Sequence, residues 1–167
     1  MTPIRRPFQQ AHFVPDIAAA IEHWVAVVGA GPFFHAPHHR TDWFEYRGEP
    51  VEADVSYAFG YAGDIQIQFI EQHDDTPSIY REMYGPGEGG LHHIGILVDD
   101  YAGERQRMLD AGHAIACELR ADGAQAVYFD TRAAIGCYTE LHSTPERIMS
   151  TFARWRAAHE ATDAPRS

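Results

Sequence analysis

Leu91-His92-His93-Ile94-Gly95-Ile96-Leu97-Val98-Asp99-Asp100 reads as an apolar strand that histidines open and carboxylates close. Gly136-Cys137-Tyr138-Thr139-Glu140-Leu141 answers it downstream with a carboxylate inside a second apolar strand. Imidazole and carboxylate both bind metals and move protons. A weaker copy comes earlier in the chain. Gln9 stands seven residues before Asp16 as His93 stands seven before Asp100, and Gln68 lies within Ile65-Gln66-Ile67-Gln68-Phe69-Ile70 as Glu140 lies within its own strand. Two halves, each giving one residue from its first strand and one from its last, predict a pseudo-symmetric site between them.

The segments around these strands repeat in the same order. Phe8 to Val14 is extended, and Asp16 then caps a helix whose Ile17, Ala20, Ile21, Trp24 and Val28 share one face. Gly29-Ala30-Gly31-Pro32 stops it. Extended runs follow at Trp43 to Arg47, Val55 to Tyr61 and Ile65 to Ile70, with turns at Gly48-Glu49-Pro50 and Ala62-Gly63-Asp64. Ser78 to Tyr84 reads as a short helix, and Gly85-Pro86-Gly87-Glu88-Gly89-Gly90 as a flexible link whose spacing does not fit a phosphate loop. The second half gives a strand Leu91 to Val98, a helix Asp100 to Ala111, and strands His113 to Arg120, Ala126 to Asp130 and Gly136 to His142. The order is βαβββ, twice. Pro145 opens a last amphipathic helix with Ile148, Phe152 and Trp155 on one stripe, and Ala161 to Ser167 are expected to fray. The expectation is one α+β domain over residues 1–167. It has a first module at 7–75, a linker at 76–90, a second module at 91–144 and a C-terminal helix at 145–160, the modules forming a cupped mixed β-sheet.

Composition removes several functions. Twenty-four acidic against thirteen basic residues leave a formal charge of −11, which argues against nucleic acid and against an anionic membrane surface. All thirteen basic residues are arginines, so lysine Schiff bases and lysine general bases are out of reach. No apolar run approaches the roughly 20 residues that span a bilayer. The N-terminus has charge without an apolar stretch after it, so a cytoplasmic location is expected. Cys117 and Cys137 make no disulfide framework, and Cys137 reads as a small buried hydrophobe.

Gln9, Gln68, His93 and Glu140 form a candidate set. Each lies in a strand, so its face follows a period of two. Imidazole, carboxylate and two amide oxygens make an N/O set without sulfur, which suits Zn, Mn, Fe, Co or Ni. Amides bind metals more weakly than imidazole, so two glutamines imply a weaker or more selective site. The other reading has all four as hydrogen-bonded polar residues of a half-open barrel. By alternation His92 faces away from His93, and His12 faces away from Gln9 unless a bulge turns it. Phe33, Phe34, Tyr57, Phe59 and Tyr128 are candidates to line an apolar pocket, and core packing is their alternative. His38 and His39, in a polar connection, can border its mouth, whereas His73 reads as a surface residue.

The chain resembles the vicinal oxygen chelate superfamily of glyoxalases, epimerases, extradiol dioxygenases and bleomycin-binding proteins. Val14-Pro15-Asp16-Ile17, Gly29-Ala30-Gly31-Pro32-Phe33-Phe34, Asp64 to Ile70, Gly90 to Ile96 and Gly136 to Leu141 carry the resemblance, over roughly residues 7 to 144. The Gly-Leu-His-His-Ile block, and the 24 residues from Gln68 to His92, are most similar to the methylmalonyl-CoA epimerase branch. The resemblance implies metal ligands at Gln9, Gln68, His93 and Glu140, with Gln9 where a histidine is usual. It implies a divalent metal, Zn, Co, Mn, Ni or Fe, that stabilises an enolate while Glu140, or Glu52 sixteen residues before Gln68, handles the proton. The branch's lysine base has no equivalent. The activity implied is that of a metal-dependent isomerase, epimerase or lyase on a small oxygenated carboxylic or acyl substrate. The alternatives are a metal-free binding protein of the bleomycin-resistance kind and an extradiol dioxygenase. A homodimer is implied as well, with the last helix offering an apolar surface.

Overall fold

The computed structural model describes residues 5–163. Strand β1 (Arg5–Phe13) leads to helix α1 (Ile17–Val28). The Asp16 carboxylate accepts the Ala19 N–H at 3.0 Å, and Glu71 accepts the Ile17 N–H at 2.9 Å, so two of the helix's free donors are satisfied. Gly29 ends the helix at φ +73°, a left-handed value open to glycine. Strands β2 (Phe34–Ala36), β3 (Trp43–Tyr46), β4 (Glu49–Pro50), β5 (Val55–Ala62) and β6 (Ile65–Gln72) complete the first half. Helix α2 (Ile79–Met83) starts on Ser78, whose hydroxyl accepts from the backbone of Tyr80 and Arg81. The second half runs β7 (Gly90–Val98), α3 (Tyr101–Asp110), β8 (Ile115–Ala121), β9 (Ala124–Phe129), a short α4 (Arg132–Ile135) and β10 (Tyr138–Ser143), then α5 (Glu146–Asp163). Asp100 caps α3 through the Gly103 N–H at 2.9 Å, as Asp16 caps α1. Of the tail expected to fray, Ala161 to Asp163 are helical and residues 164–167 lie outside the described residues.

The strands form one mixed sheet in the order β2-β5-β6-β1-β7-β10-β9-β8-β3-β4. Its centre is the antiparallel pair β1/β7, flanked by the parallel pairs β1/β6 and β7/β10, so the halves meet symmetrically. The sheet is cupped. Tyr57 and Val55 from one end share a buried cluster with Phe44, Ala116 and Cys117 from the other end, and a flat sheet keeps such strands far apart. Helices cover the outside. Ile21 and Trp24 of α1 pack on Phe69 and Ala58, while Met108 of α3 packs on Val127, Phe129 and Leu141.

Of the run expected from Trp43 to Arg47, Trp43–Tyr46 is a strand and Arg47 turns at φ +51°, and the strand does not join the first half. β3 pairs antiparallel with β8, Tyr46 opposite Cys117, and so extends the second half. Buried Phe44 draws it there, and Arg120 lies over the Trp43 ring with 5.0 Å to its centroid. Arg47 then reaches Glu82 and Asp130, both at 2.7 Å. The second-strand place in the first half is taken by β2, only three residues long.

The stripe of the last helix finds partners within the chain. Trp155 stacks on Phe34 and Phe59 with ring centroids 5.3 and 5.2 Å apart, and Phe152 stacks on Phe8 at 5.6 Å. The apolar face of α5 therefore rests on the chain's own sheet. His159 fastens its far end, accepting the Gly63 N–H at 3.0 Å and donating to the Gly31 carbonyl at 2.6 Å, and Arg156 pairs with Asp64. Among the described residues no helix is long and apolar enough to cross a membrane.

Candidate active site

Strand register brings the predicted set to one floor. Gln9 is level with Gln66 on one side and Gly95 on the other, and Gly95 is level with Glu140. One residue pair along, Ala11 is level with both Gln68 and His93. Gly95 matters here for what it lacks. A Cβ there would fall 2.8 Å from the Phe8 ring, 3.0 Å from Gln9 Cβ and 3.0 Å from Glu140 Oε2, so its absence makes room for the carboxylate.

His93, fully buried, is the hub. Its Nε2 lies 3.2 Å from Gln9 Oε1 and 3.2 Å from Glu140 Oε2, while its Nδ1 lies 2.9 Å from His92 Nδ1. The proton on that short contact can be assigned. His92 Nε2 is 3.2 Å from the Ile79 carbonyl, which only accepts, so that nitrogen carries hydrogen. Burial, with His93 beside it, holds the His92 pKa well below the usual histidine value, so His92 is neutral and its Nδ1 is a lone pair. His93 Nδ1 must then be the donor. A neutral His93 consequently presents a bare Nε2 lone pair towards two oxygens. Three electron-pair donors converge with a proton or a cation required between them.

The carboxylate is held for this arrangement. Tyr128 donates its phenol to Glu140 Oε1 at 3.1 Å, whereas the buried Oε2 has no hydrogen bond. Burial pushes the Glu140 carboxyl up, but when His93 is protonated its Nε2–H and charge outweigh that and hold the group below its ordinary value. Gln9 is oriented by a relay in which its Nε2 donates to Gln66 Oε1 at 2.6 Å and Gln66 Nε2 donates to Tyr61. That relay turns Gln9 Oε1 towards His93. An imidazole nitrogen, a carboxylate oxygen without a hydrogen bond and an oriented amide oxygen fit a divalent cation of the borderline or hard class.

Above this floor lies a cavity of about 350 Å³, bordered by Gln9, Gln68 and Glu140 below and by Phe34, Tyr57, Phe59 and Tyr128 on its walls. Ile148, Phe152 and Trp155 of α5 roof it, and His39, Asp122 and Arg147 stand among the polar residues that border it. The apolar walls with a few polar groups at one end are those of a small-molecule site.

Two residues expected in the site lie elsewhere. Phe33 stacks on Phe69 at 5.1 Å in the outer cluster under α1, because consecutive residues of an extended chain point to opposite faces and Phe34 takes the inner one. Glu52 is exposed in the segment between β4 and β5 and does not border the cavity. His92 also departs from simple alternation. The β1/β7 register slips between Ala11 and His12, a bulge that turns His92 inward against Tyr80 and Tyr138, at 5.0 Å from each ring. His12 does face outward, its ring 5.3 Å from Trp24 and 6.3 Å from Phe69. Sequence reading passed over Gln66, although it shares parity with Gln68 in the same strand and so had to face the same way.

No curated protein matches the chain in sequence. Solved structures share its fold at low identity. Methylmalonyl-CoA epimerase from Mycobacterium tuberculosis is 16% identical, with a TM-score of 0.63 over 86% of this chain and 91% of that one. A protein of unassigned function from Bacillus halodurans is 18% identical, with a TM-score of 0.62 over 85% and 96%. A variant of Streptomyces coelicolor methylmalonyl-CoA epimerase, solved with 2-nitronate-propionyl-CoA, is 18% identical, with a TM-score of 0.58 over 84% and 95%. A family model covers residues 8–129, most of both halves, and by it the chain belongs to the glyoxalase/bleomycin resistance protein/dioxygenase superfamily.

Proposed function

We propose that this protein is a metal-dependent isomerase, epimerase or lyase that moves a carbon-bound proton in a small oxygenated carboxylic or acyl compound. The observation that carries the reading is the convergence of His93 Nε2, Gln9 Oε1 and the hydrogen-bond-free Glu140 Oε2 at the floor of an apolar cavity. Gln9, His93 and Glu140, with Gln68 beside them, would hold Zn, Co, Mn, Ni or Fe. Bound there, such an ion supplies Lewis-acid polarisation of a substrate oxygen.

The chain's own residues account for the rest. Among the described residues Glu140 is the one buried carboxylate bordering the cavity, so it accepts the carbon-bound proton and returns it. Tyr128 fixes one of its oxygens, and a cation at Oε2 would keep it ionised despite burial. With Glu52 outside the cavity and no lysine in the chain, a one-base proton transfer suits the site better than two bases on opposite faces. The aromatic walls exclude water and hold the apolar part of the substrate. Two of the solved relatives are methylmalonyl-CoA epimerases, which supports an acyl substrate. The α5 roof and a volume of about 350 Å³ favour a compact member of that class over a long thioester. A cytoplasmic homodimer belongs to the same reading.

A second reading rests on the same cluster. If His93 carries both ring protons, its Nε2–H is shared between Gln9 and Glu140 and the cluster closes without a metal. The protein then works as a metal-free binder of small apolar molecules, of the bleomycin-resistance kind. One experiment separates the readings. Untagged protein is reconstituted in turn with Zn, Co, Mn, Ni and Fe(II), mixed with a panel of enolisable acids in D₂O, and C–H exchange is followed by NMR. Exchange by the wild type and none by Glu140→Gln is expected. No exchange with any ion, alongside tight binding of an aromatic ligand by metal-free protein, would replace the first reading with the second.

A further inference from the structure

A second cluster of metal-binding side chains lies outside the cavity floor. His38 follows β2, Asp54 precedes β5 and His73 follows β6, so three adjacent strands deliver their ends to one corner of the sheet. The β5/β6 register makes this obligatory. Val55 is opposite Gln72, and one step beyond it the His73 N–H bonds the Asp54 carbonyl at 2.8 Å. The His39 N–H bonds the Val55 carbonyl at 2.8 Å and closes the third side. Each of His38, Asp54 and His73 offers one ligand atom, and the three atoms lie within 4.8 Å of one another. Donors about 2.0–2.2 Å from a zinc ion are up to roughly 4 Å apart, so small side-chain rotations complete the set.

The corner is built for these side chains. His38 Nδ1 sits 2.7 Å from Asp54 Oδ1, and the His38 and His73 rings lie 4.5 Å apart, tilted by 34°. His38 holds a left-handed backbone, φ +46°, which a non-glycine residue adopts at a cost. Buried Ser56 serves both histidines, its hydroxyl accepting the His38 N–H at 3.0 Å and meeting His73 Nε2 at 2.6 Å. Engaging one ring nitrogen of His73 leaves the other, Nδ1, for a ligand's role, which is how an outer partner orients a metal-binding histidine. Glu71 Oε1 stands 3.5 Å from that Nδ1, and Asp74 accepts the Asp54 N–H at 3.0 Å, so the surroundings are acidic.

We propose that His38, Asp54 and His73 form a second divalent-metal site at the rim of the cavity. Two imidazoles and one carboxylate select Zn, Ni, Co or Cu(II), and the solvent-facing side leaves room for water or Glu71 to complete the shell. Its role is to fasten the connection after β2. His39, next in that connection, borders the cavity and rests edge-on against Tyr57 at 5.8 Å. A metal on His38 therefore fixes the cavity wall through its neighbour. The site stands on observations separate from the cavity floor.

The test is metal titration of untagged protein against a chromophoric chelator, with Zn and with Co(II), read alongside the Co(II) visible spectrum. All variants carry Glu140→Gln to disable the floor. Glu140→Gln alone is expected to bind one equivalent. Adding His38→Ala or His73→Ala is expected to weaken that binding by more than the roughly 10–100-fold cost of disturbing an outer partner, and adding Ser56→Ala by about that cost itself. His38 is exposed, so its variant keeps the fold, which circular dichroism without metal checks. Zn is expected to raise the melting temperature of Glu140→Gln and not that of the His38→Ala variant. Equal affinity with and without His38→Ala, or no bound metal in Glu140→Gln alone, would overturn the proposal.

Discussion

Replacing Trp155 with alanine tests whether α5 is a fixed roof. The indole lies between two rings, 5.3 Å and 16° from Phe34 and 5.2 Å and 18° from Phe59, and also meets Phe152 at 5.7 Å. Each of the two parallel stacks contributes about 0.5–1.5 kcal/mol beyond the area it buries, so together they contribute about 1–3 kcal/mol. Trp155 is half-buried, so the loss falls below the roughly 3–5 kcal/mol of a fully buried aromatic. The expected destabilisation is about 2–3 kcal/mol. Urea unfolding followed by far-ultraviolet circular dichroism measures it. With a slope near 2 kcal/mol per molar, the midpoint falls by about 1 M. The opened roof also admits larger ligands, so affinity for a compact apolar probe falls in the same variant. A loss below about 0.5 kcal/mol, the scale of an ordinary surface change, would mean that α5 does not rest on the cavity mouth.

Three other outcomes follow from named contacts. Gly95→Ala places a methyl 2.8 Å from Phe8 and 3.0 Å from Glu140 Oε2, and is expected to cost about 1–3 kcal/mol in urea unfolding while displacing the carboxylate and weakening metal binding at the floor. His92→Phe fills the same space but removes the acceptor for His93 Nδ1–H. Calorimetry is expected to show about 10–100-fold weaker metal binding in a folded protein, and unchanged affinity would refute the proton assignment. Acid is expected to weaken the junction of the halves. Hydrogen bonds from Arg132 and Arg47 hold Asp130 well below the usual carboxylate range. Glu82, which burial alone would raise, is also held low by Arg47 and Tyr138. A lowered carboxyl adds stability that is fully present above its unfolded value, about 3.9–4.3, and lost as pH falls through the folded value. The wild type is therefore expected to lose stability below about pH 4 more steeply than Arg47→Met, and parallel curves would contradict this.

The elements and the pseudo-symmetry were legible because they rest on local chemistry. Asp16 and Asp100 cap their helices, and Val55, Tyr57, Phe59 and Tyr61 alternate with smaller residues as a strand does. Alternation also put Gln9, His93 and Glu140 on one face, where the structure brings them together. Pairing was less legible. The pattern at Trp43 to Tyr46 marks a strand but not its neighbour, and consecutive strands are adjacent only about two-thirds of the time. The bulge at His92 was hidden for a similar reason. A period of two carries no sign of an extra residue, so the histidine that orders the site read as outward-facing. His38, Asp54 and His73 are scattered along the chain and meet only because β2, β5 and β6 are neighbours.

The most direct test of the central claim is metal stoichiometry of untagged protein in a His38→Ala background, which removes the rim site, with and without Glu140→Gln. After exposure to Zn, Mn, Co, Ni and Fe(II) and removal of the excess, close to one equivalent is expected with Glu140 intact. None is expected with Glu140→Gln. No bound metal in either protein, or equal metal in both, would contradict a metal centre on His93 and Glu140.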